Sequence, residues 1–369
     1  MAKVLFIAPN TRSLVDNRGD LIKQIEKRGN EVIALIPENE YDEGKLKQLG
    51  VKHYLYYMSR QSMNPFNDIA SLFDLHRQIK KTNPDCVFSY HIKSVVYGSI
   101  AAKLAGIDNL YAMVTGLGYL FIGDNFKKKV LQRIALMMYR AGLYLNKKVF
   151  IQNYNDINFF KEKNVVNDSK IIKVNGSGVN TDFYYPDYDY PQGPVFLMIS
   201  RLLEDKGVYE YAAAAKKLKE QGCEADFNLL GPYDDNPSAI DKCEVEDWVE
   251  EGYINYLGKT DDVRPYITSA DIIVLPSYRE GTPRSVLEGM SMARPIITTR
   301  APGCSETVEE GENGFLVQTR DVDSLVQAMK RFVNNTGLIE EMGEKSRKIA
   351  EEKYDVDKVN ETIIENMDL

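Results

Sequence analysis

Short apolar runs rich in β-branched residues alternate along this chain with stretches in which apolar positions recur at helical spacing. In the first half, Lys3 to Ala8, Glu31 to Pro37, Val51 to Tyr57, Asp85 to Ser89 and Asn109 to Val114 read as strands, and Gly19 to Arg28 and Ile69 to Thr82 as helices. The alternation resumes with strands at Val195 to Ser200, Asp226 to Leu230, Ala270 to Leu275 and Pro295 to Thr299, and a helix at Tyr209 to Gln221. It predicts βαβ units and a parallel sheet in each half. Between the halves, Asp182 to Pro194 (DFYYPDYDYPQGP) is polar and proline-rich and breaks both periods, as a linker does. The expected architecture is α/β with two Rossmann-like domains, residues 1–181 and 195–354, joined by a linker at 182–194. A last helical stretch covers 355–369. No repeat of solenoid period and no low-complexity tract interrupts the pattern.

A length of 369 residues suits two ordinary domains better than one. The four cysteines (Cys86, Cys223, Cys243, Cys304) are scattered without a C-x-x-C pair, and the three histidines show no ligand-like spacing to them, so free thiols in a reducing compartment are expected. The N-terminal KVLFIAP reads as a first strand, being too short an apolar run for a secretory signal, and no run approaches the roughly 20 apolar residues of a membrane span. These features point to a cytoplasmic protein.

The net charge of −8 conceals an asymmetry. Residues 1–188 hold 26 Lys+Arg against 18 Asp+Glu, a net of +8, and the remainder carries −16. An acidic total argues against a nucleic-acid partner, yet the basic half alone is compatible with an anionic surface. Much of the excess lies in Phe126 to Phe150, FKKKVLQRIALMMYRAGLYLNKKVF, which carries seven basic residues and no acid. Val130, Ile134, Met137, Met138 and Leu145 recur near helical spacing, so the segment reads as a basic amphipathic helix. It fits a packed helix with basic ends, or a helix lying on anionic lipid through Lys127, Lys128, Lys129 and Arg133.

The richest chemistry lies in YREGTPRSVLEG, Tyr278 to Gly289, where Glu280 and Glu288 stand eight positions apart. The run before it, Ile272 to Pro276, reads as a buried parallel strand, and a helical pattern starts at Ser285. Open α/β sheets bind ligands at the carboxyl ends of strands, and a helix start there offers N–H groups to a diphosphate, the candidate residues around this start being Gly281, Thr282, Pro283, Ser285 and Val286. Glu288 could accept hydrogen bonds from ribose hydroxyls and Glu280 could face a sugar. Two glutamates alone also fit a solvated helix start.

With these residues, VFLMISRLLEDKGVYE (Val195 to Glu210) and PGCSETVEEGENGFLV (Pro302 to Val317), the chain resembles the retaining glycosyltransferases of the two-domain GT-B type, family 4. That family's signature is two glutamates separated by seven residues, and its G-R-L…K-G element is matched by Arg201 and Lys206, with Ser200 in place of the usual glycine. The resemblance implies two Rossmann-like domains facing a cleft, a final helix at 355–369 that crosses back to the first domain, a nucleotide-sugar donor on the C-terminal domain, retention of anomeric configuration, and no cofactor and no metal. It implies that Arg201 and Lys206 meet the charge developing on the leaving phosphate, that Glu280 positions the sugar, and that His91, after the strand CVFSY, lies near the transferred sugar. A lone histidine is otherwise more often structural.

SRQSMNPF (Ser59 to Phe66), TGLGYLF (Thr115 to Phe121), LPSYREG and PGCSE are similar to a narrower subgroup acting on polyprenyl-diphosphate-linked saccharides in bacterial glycan assembly, and among them to enzymes adding N-acetylgalactosamine to an undecaprenyl-diphosphate-linked aminosugar. This resemblance implies a UDP-sugar donor, a lipid-linked acceptor and peripheral attachment at the inner face of the membrane. Arg18, placed on the first loop, and Arg60, Asn64, Gly116 and Gly118 are the acceptor-side candidates. A dinucleotide oxidoreductase lacks support, because PNTRSLVDNRGD after the first strand has no G-x-G-x-x-G turn. A nucleotide-sugar epimerase of the same fold, and a non-enzymatic membrane-surface module, are the remaining alternatives.

Overall fold

The computed structural model describes residues 1–58, 65–122, 126–186 and 194–369. The chain forms two compact units, residues 1–177 with 357–369, and residues 178–356.

The first unit runs β1 (Lys3–Ile7), α1 (Thr11–Lys27), β2 (Glu31–Pro37), α2 (Glu43–Leu49), β3 (Lys52–Tyr56), α3 (Pro65–Thr82), β4 (Cys86–Tyr90), α4 (Ile92–Leu104), β5 (Leu110–Val114), α5 (Phe126–Tyr144), β6 (Lys148–Ile151), α6 (Tyr154–Glu162) and β7 (Ile171–Lys173). The strands form a parallel sheet in the order β3-β2-β1-β4-β5-β6-β7, with Lys3 opposite Glu31 and Val4 opposite Cys86. Successive β1 residues bury opposite faces. Val4 and Phe6 pack with Leu21, Ile22 and Ile25 of α1, whereas Leu5 and Ile7 pack with Leu75 and Ile79 of α3 and with Ala101 and Ala102 of α4. Covering on both faces is why this strand reads as an uninterrupted apolar run.

The second unit runs β8 (Val195–Ile199), α7 (Val208–Glu220), β9 (Asp226–Leu230), α8 (Lys242–Glu250), β10 (Asn255–Tyr256), α9 (Arg264–Thr268), β11 (Ile272–Leu275), α10 (Arg284–Ser291), β12 (Ile296–Thr299), β13 (Gly314–Val317), α11 (Val322–Asn334) and α12 (Gly337–Ile349). Its parallel sheet has the order β10-β9-β8-β11-β12-β13. The final helix, α13 (Val356–Asn366), places Val359, Ile363, Ile364 and Met367 in the core of the first unit beside α1, and the Tyr111 hydroxyl donates to Met367 O at 3.0 Å.

Three differences from the sequence reading affect the site residues. First, α1 starts at Thr11 instead of Gly19, because the Asn10 side chain caps it, accepting from Ser13 N at 2.6 Å. A polar first turn had concealed the helix. Second, the basic segment is not one helix to Phe150: α5 stops at Tyr144 and Lys148 opens β6, pairing with Tyr111. Third, the stretch taken as linker is anchored at its start, for Tyr184 is buried in the core of the second unit. Strands β7, β10 and β13 were not anticipated; the first two are only three and two residues long, too short to show a period.

Candidate functional site

In the second sheet the chain moves outward from β8 through β9 to β10, then returns to the other side of β8 with β11. The carboxyl ends of β8 and β11 are thus the topological switch point, where open α/β sheets bind ligands. Arg201 and Lys206 follow β8, and Glu280 follows β11, so two sequence motifs some 75 residues apart meet at one place. Lys206 Nζ lies 2.6 Å from Glu280 Oε1, which also accepts from Ser277 Oγ at 2.7 Å. Burial works against the Lys206 charge, but the Glu280 carboxylate outweighs it and raises the pKa above the ordinary lysine value. The result is a permanent cation in a poorly solvated position.

The backbone around this pair is tightly fixed. Tyr278 N donates to Asp205 O at 2.9 Å, Glu280 N to Pro302 O at 3.0 Å, and Thr299 Oγ1 to Ser277 O at 2.5 Å. Two glycines permit the close approach. Gly207, at φ +77°, would bring a Cβ within 2.2 Å of Pro276 O, and Gly303, at φ +78°, would bring one within 2.3 Å of Glu280 O. The P-G-C-S-E loop is therefore the shelf on which the Glu280–Gly281 backbone rests. Beneath it, burial pushes the Cys304 thiol up to about 12, so it is a buried packing residue and not a nucleophile.

Arg201 is half-exposed and pairs with Asp234, in the loop after β9, at 2.8 Å. Pro283 precedes α10, and its own side chain supplies no cap. The helix opens one residue early, at Arg284, with Ser285 and Val286 in its first turn and Gly281 and Thr282 ahead of it; the Val286 side chain belongs to the core. Glu288 is 6% exposed. Its Oε1 accepts from Arg284 Nε at 2.7 Å and from the Tyr184 hydroxyl at 2.9 Å. Sequence reading missed both partners. Arg284 was detectable as a pair at i, i+4 on one helix face; Tyr184, 104 positions away, carried no local signal.

In the first unit the switch point lies between β1 and β4. His91 follows β4 there at φ +73°, ψ 142°, a backbone strained for a residue with a Cβ, as the N-cap residue of α4. Arg18 requires correction. It lies inside α1, 2% exposed, with its guanidinium 5.1 Å over the Tyr90 ring and Nη1 donating to Asn17 O at 2.9 Å. Gly116 and Gly118 follow β5 at φ +106° and +70°. Arg60 and Asn64 lie outside the described residues.

On α5, Phe126, Val130, Ile134, Met137 and Tyr144 are exposed and form a stripe at helical spacing, with Lys127, Lys129 and Arg133 also exposed. Lys128 departs from this set, turning back to donate to Ile122 O at 2.8 Å. No helix among the described residues is long and apolar enough to cross a membrane, and none of their His, Cys, Asp and Glu side chains gather in threes as metal ligands would. A cavity of about 580 Å³ in the first unit is lined by Arg140, Lys161 and Lys170, but these cations already engage Asn164 O, Asp168 and Tyr144 O respectively.

Comparison with known proteins accords with this geometry. Residues 3–153 match the family described as Glycosyl transferase 4-like, and residues 193–335 that described as Glycosyl transferases group 1. The chain is 30% identical to the Campylobacter jejuni N,N'-diacetylbacillosaminyl-diphospho-undecaprenol alpha-1,3-N-acetylgalactosaminyltransferase, over 91% of this chain and 90% of that protein. It is 25% identical to the Escherichia coli UDP-Gal:alpha-D-GlcNAc-diphosphoundecaprenol alpha-1,3-galactosyltransferase, over 74% and 73% of the two chains. Its fold matches Anabaena HepE in complex with UDP and glucose (TM-score 0.78, 17% identity, the whole of both chains). It also matches sucrose-phosphate synthase from Thermosynechococcus elongatus (TM-score 0.83, 16% identity, 99% and 98% of the two chains). Two parallel α/β units, a nucleotide-type switch point built from both signature motifs, and a relative matched along nearly the whole chain place this protein in the GT-B glycosyltransferases.

Proposed function

We propose that the protein transfers a sugar, an N-acetylhexosamine, from a UDP-sugar to a polyprenyl-diphosphate-linked saccharide in bacterial glycan assembly, with retention of configuration and without a metal ion. The observation that carries this reading is the Lys206–Glu280 pair at the β8/β11 switch point, a fixed cation beside a carboxylate just ahead of the N-terminus of α10. The acceptor class is supported by two relatives whose names both specify a diphospho-undecaprenol saccharide.

The chemistry follows from the charges. The bond between the sugar's anomeric carbon and the diphosphate oxygen breaks, a bond from the acceptor hydroxyl oxygen forms on the same face, and the hydroxyl proton passes to the departing phosphate. Lys206 and Arg201 stabilise the negative charge left on that phosphate, with the α10 amides adding their dipoles. Preorganised charge of this kind contributes several kcal/mol because it is already oriented when the bond breaks. Glu280 orients the donor sugar, Glu288 the ribose and His91 the reacting region, while Gly116 and Gly118 serve the acceptor side. The apolar stripe of α5, flanked by Lys127, Lys129 and Arg133, rests on the anionic inner face of the cell membrane, where the acceptor is found.

The test is UDP release from a panel of UDP-sugars, with and without a short polyprenyl-diphosphate-linked saccharide, in EDTA. Release from a single UDP-N-acetylhexosamine only when acceptor is present is the expected result. Isomerised donor without acceptor would instead favour an epimerase, and a strict need for added metal would remove the metal-free mechanism. The anomeric configuration of the product, read by NMR, decides retention.

A further inference from the structure

Tyr184 and Arg284 converge on a single atom. The tyrosine hydroxyl and the arginine Nε both donate to Glu288 Oε1, and the Glu288 side chain is only 8% exposed. A buried phenol needs a partner for its hydroxyl, and a buried carboxylate needs hydrogen bonds to remain charged. Each group supplies what the other lacks. Burial, reinforced by the Glu288 charge, pushes the Tyr184 phenol far above its ordinary value, so it remains a donor at every working pH.

The main chain at Tyr184 is held as firmly as its side chain. Tyr184 O accepts from Ser291 Oγ of α10 at 2.8 Å and from Arg347 Nη1 of α12 at 3.1 Å. The same Arg347 nitrogen donates to Thr181 O at 2.9 Å and to Ser291 O at 2.7 Å. Phe183 meets the Tyr184 ring edge-on with centroids 5.1 Å apart, and the Arg264 guanidinium lies 3.9 Å over the Phe183 ring. These contacts would be more numerous than needed if residues 181–185 merely led into a linker. They form a rigid brace whose tip is the hydroxyl on Glu288.

We infer that Tyr184 and Arg284 are positioning residues for nucleotide binding, fixing the Glu288 carboxylate through Oε1 so that Oε2 is the oxygen that meets the ribose diol. The inference rests on the donor-site reading of Glu288 given above. A carboxylate pinned by two donors on one oxygen loses the rotational freedom that ligand binding would otherwise have to remove. Arg284 brings a charged donor to Oε1 in a poorly solvated position, which leaves Oε2 to accept from the ribose hydroxyls.

The experiment measures dissociation constants of UDP and 2′,3′-dideoxy-UDP by calorimetry for the wild type, Tyr184→Phe and Arg284→Gln. The wild type should bind UDP about tenfold more tightly than the dideoxy analogue, as expected for hydrogen bonds to a charged group. Tyr184→Phe should weaken UDP by about five- to tenfold and leave the analogue unchanged, so that the preference collapses. Arg284→Gln should narrow the same ratio. Unchanged analogue binding also certifies that the variants are folded. If Tyr184→Phe weakens both ligands alike, or keeps the wild-type ratio, the positioning role is overturned while the donor reading stands. If the wild type itself binds both ligands equally, Glu288 does not meet the ribose and both readings fall.

Discussion

Lys206 and Glu288 sit at the same sheet edge with different partners, and their substitutions should separate in kinetics. Lys206 faces the leaving phosphate in the proposed reaction, so Lys206→Ala should lower kcat by about 100-fold, the scale for loss of one preorganised stabilising group. In that reaction Glu288 meets the ribose, a part of the donor that does not react. Glu288→Ala should therefore raise the donor KM strongly with a smaller effect on kcat. Steady-state kinetics on both variants checks this, and near wild-type values in both would remove the donor-site assignment. Away from the site, Asp271 is fully buried just ahead of β11, its Oδ2 accepting from Val195 N at 2.8 Å. Burial pushes its carboxyl up to about 6, although the Val195 N–H and the Arg294 charge pull the other way. The folded state thus binds this proton more tightly than the unfolded chain, and the stability it contributes is present below about pH 4 and lost as pH rises through about 6. Urea midpoints of wild type minus Asp271→Asn should fall across that window; a flat difference would show that Asp271 does not titrate there.

At the scale of elements, α5 shows how local pattern and tertiary contact divide the work. Its basic, apolar sequence was legible, and of the apolar positions it marked Val130, Ile134 and Met137 are exposed, whereas Met138 is half-buried and Leu145, past the helix end, packs against the core. What the pattern could not give was the end of the helix or the fate of each lysine. Val149 to Ile151 fill an interior strand position beside β5, which outweighs continuation of the helix, and Lys128 is drawn to a carbonyl of the preceding turn. The membrane reading should accordingly depend on Lys127, Lys129 and Arg133. Replacing all three with alanine should weaken binding to vesicles containing anionic lipid by about 3 kcal/mol, at about 1 kcal/mol per basic residue near the surface. Cosedimentation with anionic and with zwitterionic vesicles measures it, and equal loss on both would point away from charge. The same division governs α1, where Asn10 capping fixes a start that the polar first turn hid, and Arg18 is consequently a buried helix residue instead of a loop contact.

For the whole molecule, the last thirteen residues are the clearest case of long-range organisation, since residues 357–369 complete the unit that begins at Met1. Val359, Ile363, Ile364 and Met367 are at most 4% exposed there. At about 1.5–3 kcal/mol for each fully buried apolar side chain, their loss is comparable to the entire stability of an ordinary domain. Truncation after residue 356 should therefore unfold the first unit or drive it to aggregate while the second retains cooperative unfolding; calorimetry of the truncated chain decides this. The arrangement also marks what could be read in advance. Alternating βαβ periods, with strands apolar on both faces, determine by themselves that each half builds a parallel sheet, and the spacing of Glu280 and Glu288 with the Arg201 and Lys206 motif determines the family, because these depend on residues close together in sequence. Only the tertiary structure decided that Lys206 meets Glu280, that Glu288 is braced by Tyr184 and Arg284, and that strand order puts β8 beside β11, because each joins segments far apart along the chain whose pairing is set by packing and burial and not by any local period.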